Sequence, residues 1–452
     1  MENLDGTIIA TALPQMARSF HANPVDLSSG MTAYMLTLAV FIPVSGWLAD
    51  RIGARTVFTL AIAIFTFASI LCGFSNGVLP FTAARILQGM GGAMMVPVGR
   101  LVVLRVTEKK DLLRAMSYIT WPGLVAPVLG PPLGGFITDR SSWRWIFYLN
   151  VPLGIVGIVL AWLWIRNEHE DAPRRFDWLG FALGGTSCIA FMYGLELMGR
   201  QNAVWPTVAG LLIYSVVSAW LGVRHMRRVT EPLINLDCLT AQTFRVSMLG
   251  GSLFRIAIMA SPFLLPLMFQ VAFGLSAFRS GLFVLAMFAG NLAMKSVTTP
   301  VLRKYGFRKV LLVNGTISAL LIMACGFLNP ATPVVLIAAV LFLHGLSRSM
   351  QFTSYNTLAF VDIAKPLMSS ATSFSAVVQQ MGMGLGVAAG AVALRAAAWF
   401  RREQETSALP TLNDFHIAFW LVAVLAILAI GDCFALSRQA GAEVTGHTKA
   451  ES

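Results

Sequence analysis

Apolar runs of about 20 residues recur along the whole chain, parted by short polar turns, and a helix needs about that length to cross a bilayer. The pattern predicts fourteen spanning segments, near 2–18, 29–49, 56–75, 79–104, 113–138, 144–165, 178–199, 203–223, 246–272, 277–301, 308–328, 332–359, 368–396 and 414–436. Turns such as Asp50–Arg55, Asn76–Gly77 and Asn329–Pro333 separate several of them. Open sheets cannot cross lipid, and a barrel would alternate over much shorter stretches. An all-α integral membrane bundle is therefore expected. The first apolar stretch is short, with Met1 only a few residues ahead of Asp5. It has neither the basic start nor the cleavage site of a signal peptide, so the natural chain is expected to begin upstream.

Composition agrees with this picture. The 452 residues are 56% hydrophobic and 12% charged, with a mean hydropathy of +0.72. A soluble domain carries about a quarter charged residues, so a disordered chain, a disulfide scaffold and an ordinary cytosolic enzyme are excluded. The formal charge of +12 would suggest nucleic acid in a soluble chain. Here most of the 33 Lys and Arg fall in the even-to-odd connections and the tail. That asymmetry sets orientation, with those loops and the C-terminus cytoplasmic.

The 5 cysteines are isolated and the 6 histidines scattered, with no CxxC or HExxH spacing. No catalytic group, metal or cofactor is expected. The stretch from Gly290 to Lys295-Ser296 lacks the second glycine of a nucleotide-binding loop. The expected partners are the lipid bilayer, a small-molecule substrate and protons, for a monomer that binds no nucleic acid.

A weak internal repeat divides the chain. Gly46-Trp-Leu-Ala-Asp50-Arg51-Ile-Gly53-Ala-Arg55 aligns with Thr299-Pro-Val-Leu-Arg303-Lys304-Tyr-Gly306-Phe-Arg308-Lys309, with Gly53 and Gly306 coinciding. Duplicated halves around a central site are a transporter construction. The expected division is a six-helix bundle over 1–165, two inserted helices with basic linkers over 166–245, a second six-helix bundle over 246–437 and a tail over 438–452.

The first of those loops resembles the G-x-L-a-D-r-x-G-r-k signature of the major facilitator superfamily, with Ala54 departing at one basic position. Leu4-Asp5-Gly-Thr7 through Pro14, Arg85-Ile-Leu-Gln88-Gly89, Gly130-Pro131-Pro132-Leu-Gly134-Gly135 and Trp143 through Gly154 are similar, in order, to motifs of its fourteen-helix drug:proton antiporter branch. Gly91–Arg100, Met294-Lys295 and Ser354–Thr357 narrow the likeness to the MdtD-type exporters of that branch. The resemblance implies a major facilitator fold and a proton-coupled antiporter in the bacterial inner membrane, exporting small molecules as a multidrug efflux protein.

It also implies roles for residues. Asp50, with Arg51, Gly46, Gly53 and Arg55, becomes a gating latch in which the carboxylate meets an arginine or a helix N-terminus. Gly130, Pro131, Gly134 and Gly135 form a Gly/Pro contact on which helices rock. A charge at membrane depth costs about 2.5–3.5 kcal/mol on insertion scales and so faces a cavity or a partner. Asp5 is the one acid expected well inside the N-terminal bundle, and Arg85 with Gln88 is its expected modulator. Burial favours a neutral carboxyl and a neighbouring arginine a charged one, so a site with both can load and release a proton.

The C-terminal half concentrates cations and amides: Arg255 and Met259, then Asn291 and Lys295, then His344, Arg348, Gln351 and Tyr355, then Gln379 and Gln380. These are the expected substrate-binding residues, with Tyr118 and Trp121 supplying apolar wall, and the ligand they suit is anionic or zwitterionic. Gly382, Gly386 and Gly390 recur as a smooth stripe expected to be structural. The competing readings are a uniporter or importer of a small metabolite, and a membrane-embedded receptor without flux.

Overall fold

The computed structural model describes residues 1–21, 24–167, 175–199, 204–400, 410–437 and 439–445, and among the described residues every regular element is helical. In chain order the α-helices are α1 (Glu2–Phe20), α2 (Pro24–Phe41), α3 (Val44–Ile52), α4 (Ala54–Phe74), α5 (Val78–Val106), α6 (Leu112–Arg140), α7 (Arg144–Tyr148), α8 (Asn150–Trp164) and α9 (Trp178–Gly199). There follow α10 (Trp205–Met226), α11 (Gln242–Leu267), α12 (Ala277–Ala293), α13 (Lys295–Cys325), α14 (Val334–Val361), α15 (Met368–Phe400), α16 (Leu412–Leu428) and α17 (Ala442–Thr445).

Each of the fourteen expected segments has a helical counterpart. Among the described residues, 10 helices are long and apolar enough to cross a membrane, or 11 when α2 and α3 count as one span. Helices α1, α6 and α12 stand at the other three expected positions. The segments differ from smooth rods at defined places. The second expected span breaks before Pro43 into α2 and α3, which meet at 57°. α11 ends in a π-helical turn at Met268–Ala272, and the last span passes at Gly431–Ala435 into a 3₁₀ turn. The tenth and eleventh spans run together in α13, parted only by the non-helical backbone of Gly306.

The chain divides into two units, one of residues 1–106, 125–238 and 364–377, the other of 107–124, 239–363 and 378–452. In the first, α5 packs against α2 on one side and α4 on the other through glycines. A side chain at Gly89 would reach 2.9 Å from the Tyr34 carbonyl, and one at Gly91 2.7 Å from the Phe65 amide. The pair α9–α10 is joined by a polar zipper: Ser187 and Ser215 each donate to the other's carbonyl, at 2.9 and 3.0 Å, and Ser218 donates to the Leu183 carbonyl at 2.9 Å.

In the second unit, a large apolar cluster centres on Leu264, Phe269, Met287, Ile322, Leu341, Phe415 and Phe419. The glycine stripe of α15 lies on α11, where added side chains would meet Arg255 at Gly382, Met259 at Gly386 and Phe263 at Gly390. That close packing is the role read for the stripe.

Candidate functional site

α1 buries the face made by Ile8, Ile9, Ala12 and Met16 against Phe81, Trp143 and Phe147. Asp5 stands one turn before Ile8 on that face, so apolar packing carries its carboxylate into the first unit. Arg85 Nη1 donates to Asp5 Oδ2 at 2.5 Å and to Gln88 Oε1 at 2.5 Å. Gln88 Nε2 donates to Asp5 Oδ1 at 3.1 Å and to Ser69 Oγ at 2.8 Å. Asn150 Nδ2 adds bonds to Asp5 Oδ1 at 3.3 Å and to Ser69 Oγ at 3.2 Å. The Arg85 guanidinium lies 4.2 Å from the centroid of the Tyr34 ring, whose face favours a cation. Asp5 is 2% exposed, Arg85 1% and Gln88 0%. Three donors thus converge on one carboxylate away from water.

The second constellation lies at the end of α3. Asp50 Oδ1 accepts from Arg105 Nη2 at 2.7 Å, and Oδ2 accepts from Ser369 Oγ at 2.6 Å. Ser369 lies in the first turn of α15, so the carboxylate also sits at the positive end of that helix. Gly46, one turn earlier, makes the approach possible: a side chain there would stand 2.6 Å from Ser373 Oγ and 2.8 Å from the Ser369 carbonyl. Arg51 lies over the Trp47 ring at 5.2 Å and Arg55 over Trp162 at 5.9 Å.

Gly53 takes φ 91°, ψ 141° between α3 and α4, and Gly306 takes φ 73°, ψ 163° within α13. The two glycines matched by the sequence repeat thus make the same left-handed turn. A cavity of about 320 Å³ opens beside Arg105, walled by Trp164, Ile165 and Arg166.

The Gly/Pro segment of α6 remains helical throughout. Gly134 O accepts from Thr138 Oγ1 at 2.8 Å, and Gln15 Nε2 of α1 donates to Thr138 O at 2.6 Å. Gly130 and Gly134 are buried, whereas the side-chain placements at Pro131, Gly135 and Trp121 lie outside the described residues.

In the second unit the polar residues are dispersed among several helix contacts. Arg255 donates to the Ser247 carbonyl at 3.1 Å and to Asn356 Oδ1 at 3.2 Å. Lys295 Nζ donates to Thr353 Oγ1 at 2.6 Å. Arg348 Nη2 lies 3.6 Å from Met259 Sδ, while its Nη1 and both ring nitrogens of the fully buried His344 have no hydrogen-bond partner among the described residues.

Gln351 is engaged with α13, donating to the Leu311 carbonyl at 3.0 Å and accepting from Asn314 at 2.9 Å. Tyr355 is buried against Cys433 Sγ at 3.1 Å and the Phe254 ring at 6.0 Å. Asn291 is buried beside the close crossing of α12 and α14 at Gly345. Gln379 and Gln380 are half-buried on α15, and Tyr118 is exposed beside the Arg114 guanidinium. Among the described residues, neither Lys295 nor Arg348 forms an ion pair with a carboxylate.

The structure therefore joins Asp5, Arg85 and Gln88 into one network and sets Asp50 against Arg105 and Ser369. It adds Asn150, Ser69, Tyr34, Arg105 and Ser369, which the sequence reading did not select. Asn150 had a signal in the run from Trp143 to Gly154. Ser69 and Tyr34 had none beyond ordinary helix composition.

The profile of the Major Facilitator Superfamily matches residues 1–387. A protein of Pectobacterium carotovorum carrying the name multidrug resistance protein MdtD is 36% identical over 397 residues, covering 87% of this chain and 84% of its own. One of Serratia proteamaculans with the same name is 35% identical over 427 residues, covering 94% and 89%. Among solved structures, the human organic anion transporter MFSD10 superposes with a TM-score of 0.68 at 12% identity, over 96% of each chain. The proton:xylose symporter XylE superposes at 0.65 and 12% identity, over 98% of this chain and 95% of its own.

Proposed function

The chain belongs to the major facilitator superfamily, and from that premise we propose a proton-coupled antiporter that exports small molecules, a multidrug efflux protein of the bacterial inner membrane with a cytoplasmic C-terminus. The observation that carries the coupling is the buried network around Asp5. Its carboxylate is held by Arg85, Gln88 and Asn150 at once. Proton binding at Asp5 releases Arg85 and changes what joins α1, α5 and α8, which links protonation to helix arrangement.

Each proton entering down the potential contributes about 2.3 kcal/mol per 100 mV. Asp50, clasped between Arg105 and Ser369, is the latch of one access state. For the substrate we propose an anionic or zwitterionic compound. Lys295 is a buried cation and Arg348 a half-buried one, both without carboxylate partners among the described residues, and such charges attract a negative ligand.

The test is efflux from proteoliposomes under an imposed pH gradient, screened over anionic and cationic compounds. Transport driven by the gradient in the parent and lost in Asp5→Asn supports the reading. Transport indifferent to the gradient, or unaffected by Asp5→Asn, overturns it.

A further inference from the structure

The linkers on either side of helices α9 and α10 end on the elements that hold Asp50. Asn167, just after α8, bridges the break between α3 and α4. Its Oδ1 accepts from the Thr56 amide at 3.3 Å and its Nδ2 donates to the Ile52 carbonyl at 3.4 Å. Helix ends leave such amides and carbonyls unpaired, and one side chain here serves two ends. It can do so because position 53 is glycine: any side chain there would run into the Asn167 amide.

At the far end of the same linker, the Phe176 ring packs edge-on against Trp47 with centroids 4.8 Å apart. Trp47 lies one helical turn before Asp50. Phe176 also packs on Trp178 and Phe181 of α9, at 4.6 and 5.7 Å.

The insert is itself tied off. Asp177 accepts from the Gly180 amide at 2.8 Å at the start of α9, bonds His225 Nε2 at the end of α10 at 2.8 Å, and accepts from the Leu233 amide at 3.3 Å. The serine zipper locks the two helices along their length. Beyond Leu233 the second linker delivers the Asn235 amide to Ser370 Oγ at 3.1 Å. Ser370 is the neighbour of Ser369, the hydroxyl that Asp50 accepts from. Both sides of the latch are thus gripped from one rigid hairpin.

We infer that the inserted helix pair is a strut for the Asp50 latch, with Asn167 and Phe176 as positioning residues that hold α3 in reach of Arg105 and Ser369. This rests on the reading of Asp50 as a latch. Phe176 acts through Trp47, and Asn167 through the Ile52–Thr56 turn. Neither touches the carboxylate. The cavity walled by Trp164, Ile165 and Arg166 gives Arg105 somewhere to go when it leaves Asp50. The linker therefore also bounds the space the latch opens into.

The experiment reads latch opening directly, without a substrate. Ser373 is buried beside Gly46 and Ser45, and the native cysteines are buried too. Serine 373 is replaced by cysteine (S373C) in the full chain in lipid vesicles, and its rate of alkylation is followed. Phe176→Ala and Asn167→Ala are each expected to raise that rate about two- to tenfold, in keeping with the worth of an aromatic pair or a hydrogen bond. Phe176→Tyr, which keeps the ring, restores the parent rate. Asp50→Asn raises the rate at least as far, and adding Phe176→Ala to it raises the rate no further, since both act on one latch.

A raised rate in Asp50→Asn with parent rates in both Phe176→Ala and Asn167→Ala overturns the strut alone. An unchanged rate in Asp50→Asn overturns the latch and the strut together. Phe176→Leu, which keeps apolar volume, guards against misfolding: the strut predicts fast alkylation in a variant whose thermal unfolding matches the parent. Parent-rate alkylation in that well-folded variant counts against it.

Discussion

Ser369 donates its hydroxyl to Asp50 Oδ2 at 2.6 Å across 319 positions of sequence. A hydrogen bond to a charged group contributes about 1.5–3 kcal/mol, so removing it shifts an opening equilibrium by about ten- to a hundredfold. Ser369→Ala is expected to widen the separation between α3 and the start of α15, and Ser369→Thr to preserve it. Spin labels at the exposed Ile52 and Lys365 measure that distance by pulsed electron paramagnetic resonance. Identical distance distributions in Ser369→Ala and the parent rule out this bond as a latch.

Arg85 and Asp5 are each almost wholly buried, so each depends on the other. Breaking a buried pair from one side strands a charge and costs about 3–5 kcal/mol, whereas removing both partners costs far less. Arg85→Ala is therefore expected to lower the thermal unfolding temperature in detergent more than the double variant Asp5→Ala/Arg85→Ala. Additive losses show that the two side chains do not depend on each other.

The spans and the charged members of the first site were legible because their signals are expensive. Twenty apolar residues have few other uses, and an acid or arginine within them demands a reason. Asn150 and Ser69 escaped because an amide or hydroxyl in a helix is easily satisfied by a nearby carbonyl. Ser369 escaped for a different reason, since nothing local marks a serine as the partner of a residue in a distant helix.

On α14 the regular spacing of His344, Arg348, Gln351 and Tyr355 was readable, but not their destinations. A stripe tens of degrees wide meets several neighbours, and Gln351 turns to α13 while Arg348 turns to Met259 of α11.

Gly53 and Gly306 share a left-handed backbone, and a side chain in that conformation costs about 1 kcal/mol or more. Gly53 also faces the Asn167 amide, into which a side chain would run. Both Gly53→Ala and Gly306→Ala are expected to destabilise the protein, Gly53→Ala by the larger amount. Adding Asn167→Ala to Gly53→Ala recovers part of the loss by removing the clash. Thermal unfolding of the three variants decides it, and a Gly53→Ala protein as stable as the parent refutes the strain argument.

Lys295 is 6% exposed and its ammonium is held by one hydroxyl, Thr353 Oγ1, at 2.6 Å. A buried cation with so little compensation is a burden on stability, because its lost hydration is not returned by an opposite charge within the protein. Lys295→Met keeps most of the apolar stem and is expected to unfold at the same temperature as the parent or a higher one. On the proposed function the cation has its use in transport. A charged contact of about 1.5–3 kcal/mol to a negative substrate corresponds to a ten- to hundredfold loss of kcat/KM for anions in Lys295→Met, with cations transported as before. Arg348→Met, on the neighbouring helix, is expected to act in the same direction. Proteoliposome kinetics with an anionic and a cationic compound separate the outcomes: loss confined to the anion assigns Lys295 to the substrate, equal loss of both assigns it to the common alternation, and unchanged transport with lowered stability makes it a packing residue.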